Sequence, residues 1–441
     1  MTTRPEAAPA ATTRIRMLQS LVLLVLAIIP WPADWEKLRG MVDSARSRDL
    51  NRAERHAAGY YEGLIRGNDV FELPSGEPSL GLIGKPSGWV RFREPGVVNY
   101  LEDDFLQFEL KPMVRRTLFG QPFLTNAFGM HDDPVTIEKP DGILRIAVLG
   151  SSMDMGWGVR YQDTYINQLQ EWLDNHAARK GLSPARRFEV LNFAVAAYSP
   201  MQRLETLRRK VLAFHPDLVI YSATTLDTRL MEIHLCEMLR KNVDLKYDFL
   251  REVTTAAEVS NDDLRIDSDG EIINKKGLKS KLRPLYWGLY DTTLGAIAAE
   301  CRTAGLPLLM VIIPRVGKAD VPSARAEPVA RLKAIASHYG LTVFDLSDTF
   351  DEFKPATLEI AASDDHPNAV GHRRLFQALA RAVVRDQELY HLLFTTDQER
   401  RAQKIVPEPS RICEKPDGPR PSSPSPAARA SRPNSIVERD Q

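Results

Sequence analysis

A serine hydroxyl is a weak nucleophile until a base takes its proton, and that base works when a carboxylate holds it in one tautomer. Two segments of this chain carry those groups. The first is Arg145-Ile-Ala-Val-Leu-Gly-Ser-Ser-Met-Asp-Met-Gly-Trp-Gly-Val159, in which the apolar run Ile146 to Leu149 breaks into Gly150-Ser151-Ser152 ahead of a glycine-spaced turn and a helical pattern from Asp163. A strand that ends in a serine at a tight turn before a helix is how α/β enzymes present a nucleophile. The second segment, more than two hundred residues later, is Ser363-Asp-Asp-His-Pro-Asn-Ala-Val-Gly-His372. An Asp-x-His arrangement on one loop supplies base and orienter together, which selects His366 and Asp364. Asp365 is the poorer orienter, because adjacent side chains on an extended loop point to opposite sides. Asp154 reads either as a residue at the mouth of the site or as a solvated turn residue. His372 reads as a helix residue rather than a base.

These groups need a scaffold, and the surrounding pattern describes one. From Ile143 onward strands alternate with helices. Strands are expected over Ile143–Leu149, Phe188–Phe193, Asp217–Tyr221, Leu306–Ile313 and Thr342–Leu346, with helices near Glu327–His338 and over Ala369–Arg385. Continuous apolar strands separated by helices indicate an α/β fold with a parallel sheet covered on both faces. Ligands in such sheets bind beyond the carboxyl ends of the strands, where Ser152 would sit. The alternation pauses over 228–281, where an amphipathic helix Thr228–Leu239 and charged irregular sequence suggest an insertion near the mouth. Helical spacing over 34–68 reads as a stalk. Short β-favouring runs over 69–140, among them Trp89–Phe92, Val97–Tyr100 and Phe105–Leu110, read as a β-containing extension. The catalytic domain is thus expected over 141–400, followed by a Pro-, Ser- and Arg-rich tail over 401–441 that lacks the apolar surface to fold.

Arg4, Arg14 and Arg16 precede the apolar run Leu21–Ile29, so residues 1–33 read as a signal peptide or an uncleaved signal anchor. No A-x-A cleavage pattern is evident, which favours the anchor, with the rest of the chain extracytoplasmic; cleavage would make it secreted. The chain has 441 residues, with 58 Lys+Arg against 58 Asp+Glu, so no basic excess points to nucleic acid. Its three cysteines, Cys236, Cys301 and Cys413, form no CxxC or Cys/His cluster, and nothing completes a metal set around His234 and Cys236. No metal or cofactor is expected. The spacing Gly150, Gly156, Gly158 is not a GxGxxG dinucleotide fingerprint.

From about Ile143 to Arg385 the chain resembles the SGNH/GDSL hydrolase superfamily. The first block of that family is usually Gly-Asp-Ser before a glycine-rich turn; Gly150-Ser151-Ser152 with Gly156-Trp157-Gly158-Val159 is similar to it, with Ser151 in place of the Asp. The final block matches Asp364-Asp365-His366-Pro367-Asn368 with Gly371-His372. Thr125-Asn126-Ala127-Phe128-Gly129-Met130 resembles a lead-in of bacterial members. The resemblance implies a flavodoxin-like α/β/α three-layer domain with esterase, lipase, carbohydrate deacetylase or O-acetyltransferase activity. Ser152 is then the nucleophile, His366 the base and Asp364 the orienter.

The middle blocks depart from the family pattern. Asn192-Phe193-Ala194-Val195-Ala196-Ala197 replaces Asn-x-Gly-x-x-Gly, leaving the backbone N–H groups of Ser152 and Ala197 as oxyanion donors. Leu226 stands where an Asn side chain usually donates, a loss worth about 2.7–4 kcal/mol of transition-state stabilisation. Thr224 or Thr225 could supply a hydroxyl instead. The expectation is therefore a membrane-anchored serine esterase or O-acyltransferase acting on a small-molecule or carbohydrate ester, an O-acetylated carbohydrate by family analogy. The competing expectation is a catalytically weak binding or scaffolding domain of the cell envelope.

Overall fold

The computed structural model describes residues 96–182, 186–268, 270–317, 320–361 and 364–395. The expected anchor over 1–33, the stalk over 34–68 and the tail over 401–441 lie outside these residues, as do Trp89–Phe92. No helix among the described residues is long and apolar enough to cross a membrane.

The described part of the extension forms two small hairpins. β1 (Val98–Tyr100) pairs antiparallel with β2 (Phe108–Leu110), and β3 (Arg115–Leu118) pairs antiparallel with β4 (Gln121–Leu124). Neither could stand alone in water. Their apolar side chains Val98, Phe108, Leu118 and Phe123 are instead buried in one cluster with Met155, Trp157 and the stretch 194–198. The extension is therefore packed directly on the turn that follows Ser152.

The α/β domain begins with β5 (Ile143–Leu149), followed by α1 (Ser152–Met155), α2 (Tyr165–Arg179), β6 (Arg187–Asn192), α3 (Pro200–Arg209) and β7 (Leu218–Ala223). Four helices then precede the next strand: α4 (Asp227–Arg240), α5 (Asp248–Ala256), α6 (Lys275–Leu282) and α7 (Tyr286–Thr303). The stretch that reads as irregular after Leu239 thus contains two further helices. The domain continues through β8 (Leu308–Ile312), α8 (Pro322–His338), β9 (Thr342–Asp345), the antiparallel pair β10 (Glu359–Ala361) and β11 (Asp364–Pro367), and then α9 (Ala369–Arg385) and α10 (Gln387–Phe394).

The main sheet has five parallel strands in the order β6-β5-β7-β8-β9. In order of appearance this is 2-1-3-4-5, the flavodoxin-like winding, and it confirms the expected α/β fold class. Both faces are covered, as a parallel sheet requires. Along β5, Leu144, Ile146 and Val148 join a core with Leu169 of α2 and Leu375 of α9, while Ala147 and Leu149 join the opposite core with Leu204 of α3 and Leu289 of α7. The winding reverses between β5 and β7. A crevice opens beyond the carboxyl ends of two such strands; here Ser152 follows β5 and Thr224–Leu226 follow β7.

Candidate active site

Ser152 opens the short helix α1 immediately beyond β5, with Ser151 as its N-cap. The turn is held from inside. The Ser151 N–H donates to Asp154 Oδ2 at 2.8 Å, and the Tyr165 hydroxyl donates to Asp154 Oδ1 at 2.6 Å. The Asn192 side chain donates to the Asp154 carbonyl at 3.0 Å, so the start of the second block braces the first. Asp154 is fully buried, which corrects its reading as a mouth or solvated turn residue, and burial raises its pKa. Gly150 is required here because a Cβ on it would lie 2.2 Å from Asp154 Oδ2. Gly156, at φ 84°, ends the helix in the left-handed conformation.

His366 and Asp364 meet as the Asp-x-His spacing predicts. His366 Nδ1 lies 2.5 Å from Asp364 Oδ1, which also accepts the His366 backbone N–H at 3.1 Å. Both side chains are 1% exposed. Burial alone would lower the His366 pKa, but the Asp364 charge and hydrogen bond outweigh it and raise the value. For Asp364, burial works upward, and the His366 interaction outweighs it and lowers the pKa. Asp365 turns away to Arg315, whose Nη2 donates to its carboxylate at 2.9 Å.

The two candidate segments are joined by Trp157, whose indole Nε1–H donates to Asp364 Oδ2 at 3.1 Å. Helix α1 packs against β11. The structure thus brings the Ser152 turn and the His366 strand together on the carboxyl side of the sheet.

On the oxyanion side, Ala197 is fully buried and takes φ 63°, the left-handed conformation that the usual glycine adopts without strain. The threonines are occupied elsewhere. Thr224 Oγ1 donates to Asp227 Oδ1 at 3.2 Å and Thr225 Oγ1 to Asp320 Oδ1 at 3.4 Å. Leu226 is half-buried at the start of α4.

Two supporting residues, Arg203 and His131, escape sequence reasoning. Arg203 forms a buried two-pronged pair with Asp227 at 2.9 and 3.0 Å and donates to the carbonyls of Tyr198 and Ser222. His131, just after the Thr125–Met130 lead-in, bonds the Met155 carbonyl through Nδ1 at 2.8 Å. His372 accepts the Tyr165 N–H at 3.2 Å and is fully buried, which places it in packing between α9 and α2.

Asp364, Asp365 and His366 are the one cluster of metal-ligand type among the described residues, with ligand atoms within 4.8 Å of one another. The cluster suits a cation poorly. The Asp364 carboxylate is committed to His366 and Trp157, and the Arg315 guanidinium occupies Asp365.

No family model matches the chain, and no curated protein matches it. Among solved structures it is similar to TesA, at 14% identity over 56% of this chain and 99% of that one with a TM-score of 0.36. It is similar to the acetyl xylan esterase AlAXEase, at 15% identity over 54% of this chain and 100% of that one with a TM-score of 0.34. It is also similar to a putative lipolytic protein of the G-D-S-L family from Desulfitobacterium hafniense, at 12% identity over 54% of this chain and 98% of that one with a TM-score of 0.33. The solved structures it is similar to thus include, by their names, an acetyl xylan esterase and a lipolytic protein of the G-D-S-L family.

Proposed function

We propose that this chain is a serine esterase or O-acyltransferase working through an acyl-enzyme on Ser152. The observation that carries the reading is the buried His366–Asp364 pair, tied by Trp157 to the turn that presents Ser152. In the first step the Ser152 Oγ attacks the ester carbonyl while its proton passes to His366 Nε2. The bond from the acyl carbon to the alkoxy oxygen then breaks, the carbonyl re-forms, and His366 gives that proton to the departing alcohol. In the second step His366 takes a proton from water or from an acceptor hydroxyl, whose oxygen attacks the acyl carbon; the bond from that carbon to Ser152 Oγ breaks, and His366 returns the proton to Oγ. The N–H groups of Ser152 and Ala197 serve the oxyanion in both steps. Asp364 holds Nδ1 protonated, so that Nε2 presents a lone pair to the serine. An O-acylated carbohydrate is the proposed substrate class. The arginine-flanked apolar run Leu21–Ile29 supports an anchored domain on the extracytoplasmic side.

A second reading, a binding domain with residual chemistry, is favoured by the oxyanion side: Leu226 offers no side-chain donor, and Thr224 and Thr225 already donate to carboxylates. A fluorophosphonate probe decides between the two. Wild type should label and turn over simple esters, while Ser152→Ala loses labelling and His366→Ala loses at least about a hundredfold in rate. Labelling that persists in Ser152→Ala removes Ser152 as nucleophile, and an inert wild type selects the binding domain.

A further inference from the structure

We infer that the β3–β4 hairpin of the N-terminal extension belongs to the catalytic machinery, with its tip residue Phe119 fixing Trp157 as the positioning residue that orients Asp364 and, through it, His366. The inference rests on the reading of His366 and Asp364 as base and orienter.

A carboxylate bonded through one oxygen can still turn about its Cβ–Cγ bond. In Asp364 the oxygen Oδ1 faces His366, and Oδ2 takes the Trp157 indole N–H at 3.1 Å. With both oxygens engaged from different elements, the carboxylate plane is set. The indole has one polar atom, a donor, so when buried its orientation follows the acceptor it finds; Trp157 is 1% exposed.

What holds the indole is the hairpin. Phe119 meets Trp157 edge to face at 5.7 Å and 79°. Gly158, at φ 77°, lets the turn pass beneath it: a Cβ there would lie 3.2 Å from Phe119 Cδ2 and 2.7 Å from Ile360 Cδ1. The tip itself carries the second observation. Phe119 and Gly120 have φ 50° and 75°, the left-handed pair of a two-residue hairpin turn, and Asn, Asp or Gly normally fill the first of these positions. A bulky side chain at positive φ is an outlier that the surroundings must enforce. Closing the hairpin does not call for phenylalanine; covering Trp157 does.

The groups around His366 are Asp364 and Asp365 on its own strand, Arg315 from the loop after β8, and His372 on α9. Of these, Asp364 is the group bonded to the Trp157 indole, so a change at position 157 reaches His366 through its carboxylate. Removing the indole donor leaves more negative charge on the carboxylate facing His366, so His366 should hold its proton to higher pH. A carboxylate free to turn also orients the imidazole less well.

The test uses the full chain in three forms: wild type, Trp157→Phe and Phe119→Ala. Proton NMR follows the low-field His366 Nδ1–H against pH, assigned by its loss in His366→Gln, and kcat and KM are followed in parallel. In Trp157→Phe the His366 titration should move upward, and kcat should fall roughly tenfold, the worth of one hydrogen bond to a charged group, with KM little changed. Phe119→Ala should move both in the same direction by less, and Phe119→Tyr should restore them. A His366 titration identical in wild type and Trp157→Phe overturns the inference. Because that readout needs no turnover, an inert Ser152 in wild type would sink the esterase reading without deciding the role of Trp157.

Discussion

Ala197 shows how a local conformation can be kept while the residue type that favours it is given up. An L-residue in the left-handed region costs about 1–2 kcal/mol, which glycine avoids. The buried methyl group repays part of this, about 0.8 kcal/mol by the usual measure of apolar transfer. Ala197→Gly should therefore be near neutral, within about 1 kcal/mol, after the added flexibility of the unfolded chain is included. Ala196→Gly is the control. Ala196 is equally buried but lies outside the positive-φ region, and there the change should cost roughly 1–2 kcal/mol, the lost methyl and the chain entropy adding together. Urea unfolding of the two variants separates these outcomes. Equal costs would show that position 197 carries no conformational strain. Since the backbone N–H survives the change, ester turnover should stay within a few-fold of wild type.

Arg203 works at the scale of elements. Anchored in α3, it reaches the carbonyls of Tyr198 and Ser222 and both oxygens of Asp227, so one guanidinium joins the loop carrying Ala197, the end of β7 and the start of α4. Burial alone would lower its pKa, but the Asp227 charge outweighs this and raises it. Arg203→Met should destabilise by about 3–5 kcal/mol because it leaves Asp227 buried and unpaired. Arg203→Met/Asp227→Leu should recover at least half of that loss in denaturant titrations. A double variant no more stable than the single one would mean that the backbone carbonyls, not the carboxylate, are what Arg203 serves. Such a network is invisible in sequence, since nothing in the spacing of Arg203 and Asp227 pairs them. The elements themselves were legible where burial was complete. Strand Ile143–Leu149 and helix Ala369–Arg385 were expected at the bounds the structure gives, and the other strands fell within about two residues. Helix α8 was misplaced at its start because Pro328 sits inside it, while the proline of its first turn is Pro322. Hairpin β3–β4 left little trace, since three of the four β3 residues are exposed and only Leu118 faces inward. The pair His366–Asp364 was legible because both lie on one strand; Trp157 and Phe119 were not, because their meeting depends on how the extension folds back.

Across the whole molecule, buried histidines sit at the seams between parts. His131 joins the extension to the Ser152 helix, its ring tilted 33° against that of Phe123 at 4.3 Å and its Nδ1 bonding the Met155 carbonyl. His234 spans from the Phe105 carbonyl, at 2.7 Å, to the Ser199 hydroxyl, at 3.0 Å. His372 joins α9 to α2 through the Tyr165 N–H. Burial lowers their pKa values to about 4 for His131, about 4 for His234 and about 3 for His372, against an ordinary 6.5. Below 6.5 the unfolded chain binds these protons and the folded chain does not. The stability they confer is therefore complete above pH 6.5 and is lost as pH falls toward 4. Several groups work in the opposite direction, buried Asp154 among them. His366 is raised, burial being outweighed by Asp364, and Asp132 is pushed up by burial to about 7, so both favour the folded state as pH falls. Each pKa unit is worth about 1.4 kcal/mol, so the three depressed histidines contribute an acid lability of several kcal/mol. The urea midpoint should fall steadily between pH 6.5 and pH 4.5. His372→Gln keeps an acceptor for the Tyr165 N–H but cannot titrate, so it should start from a lower midpoint at pH 7.5 and descend less steeply. If its slope with pH matches that of wild type, His372 is not one of the groups that open this seam to acid.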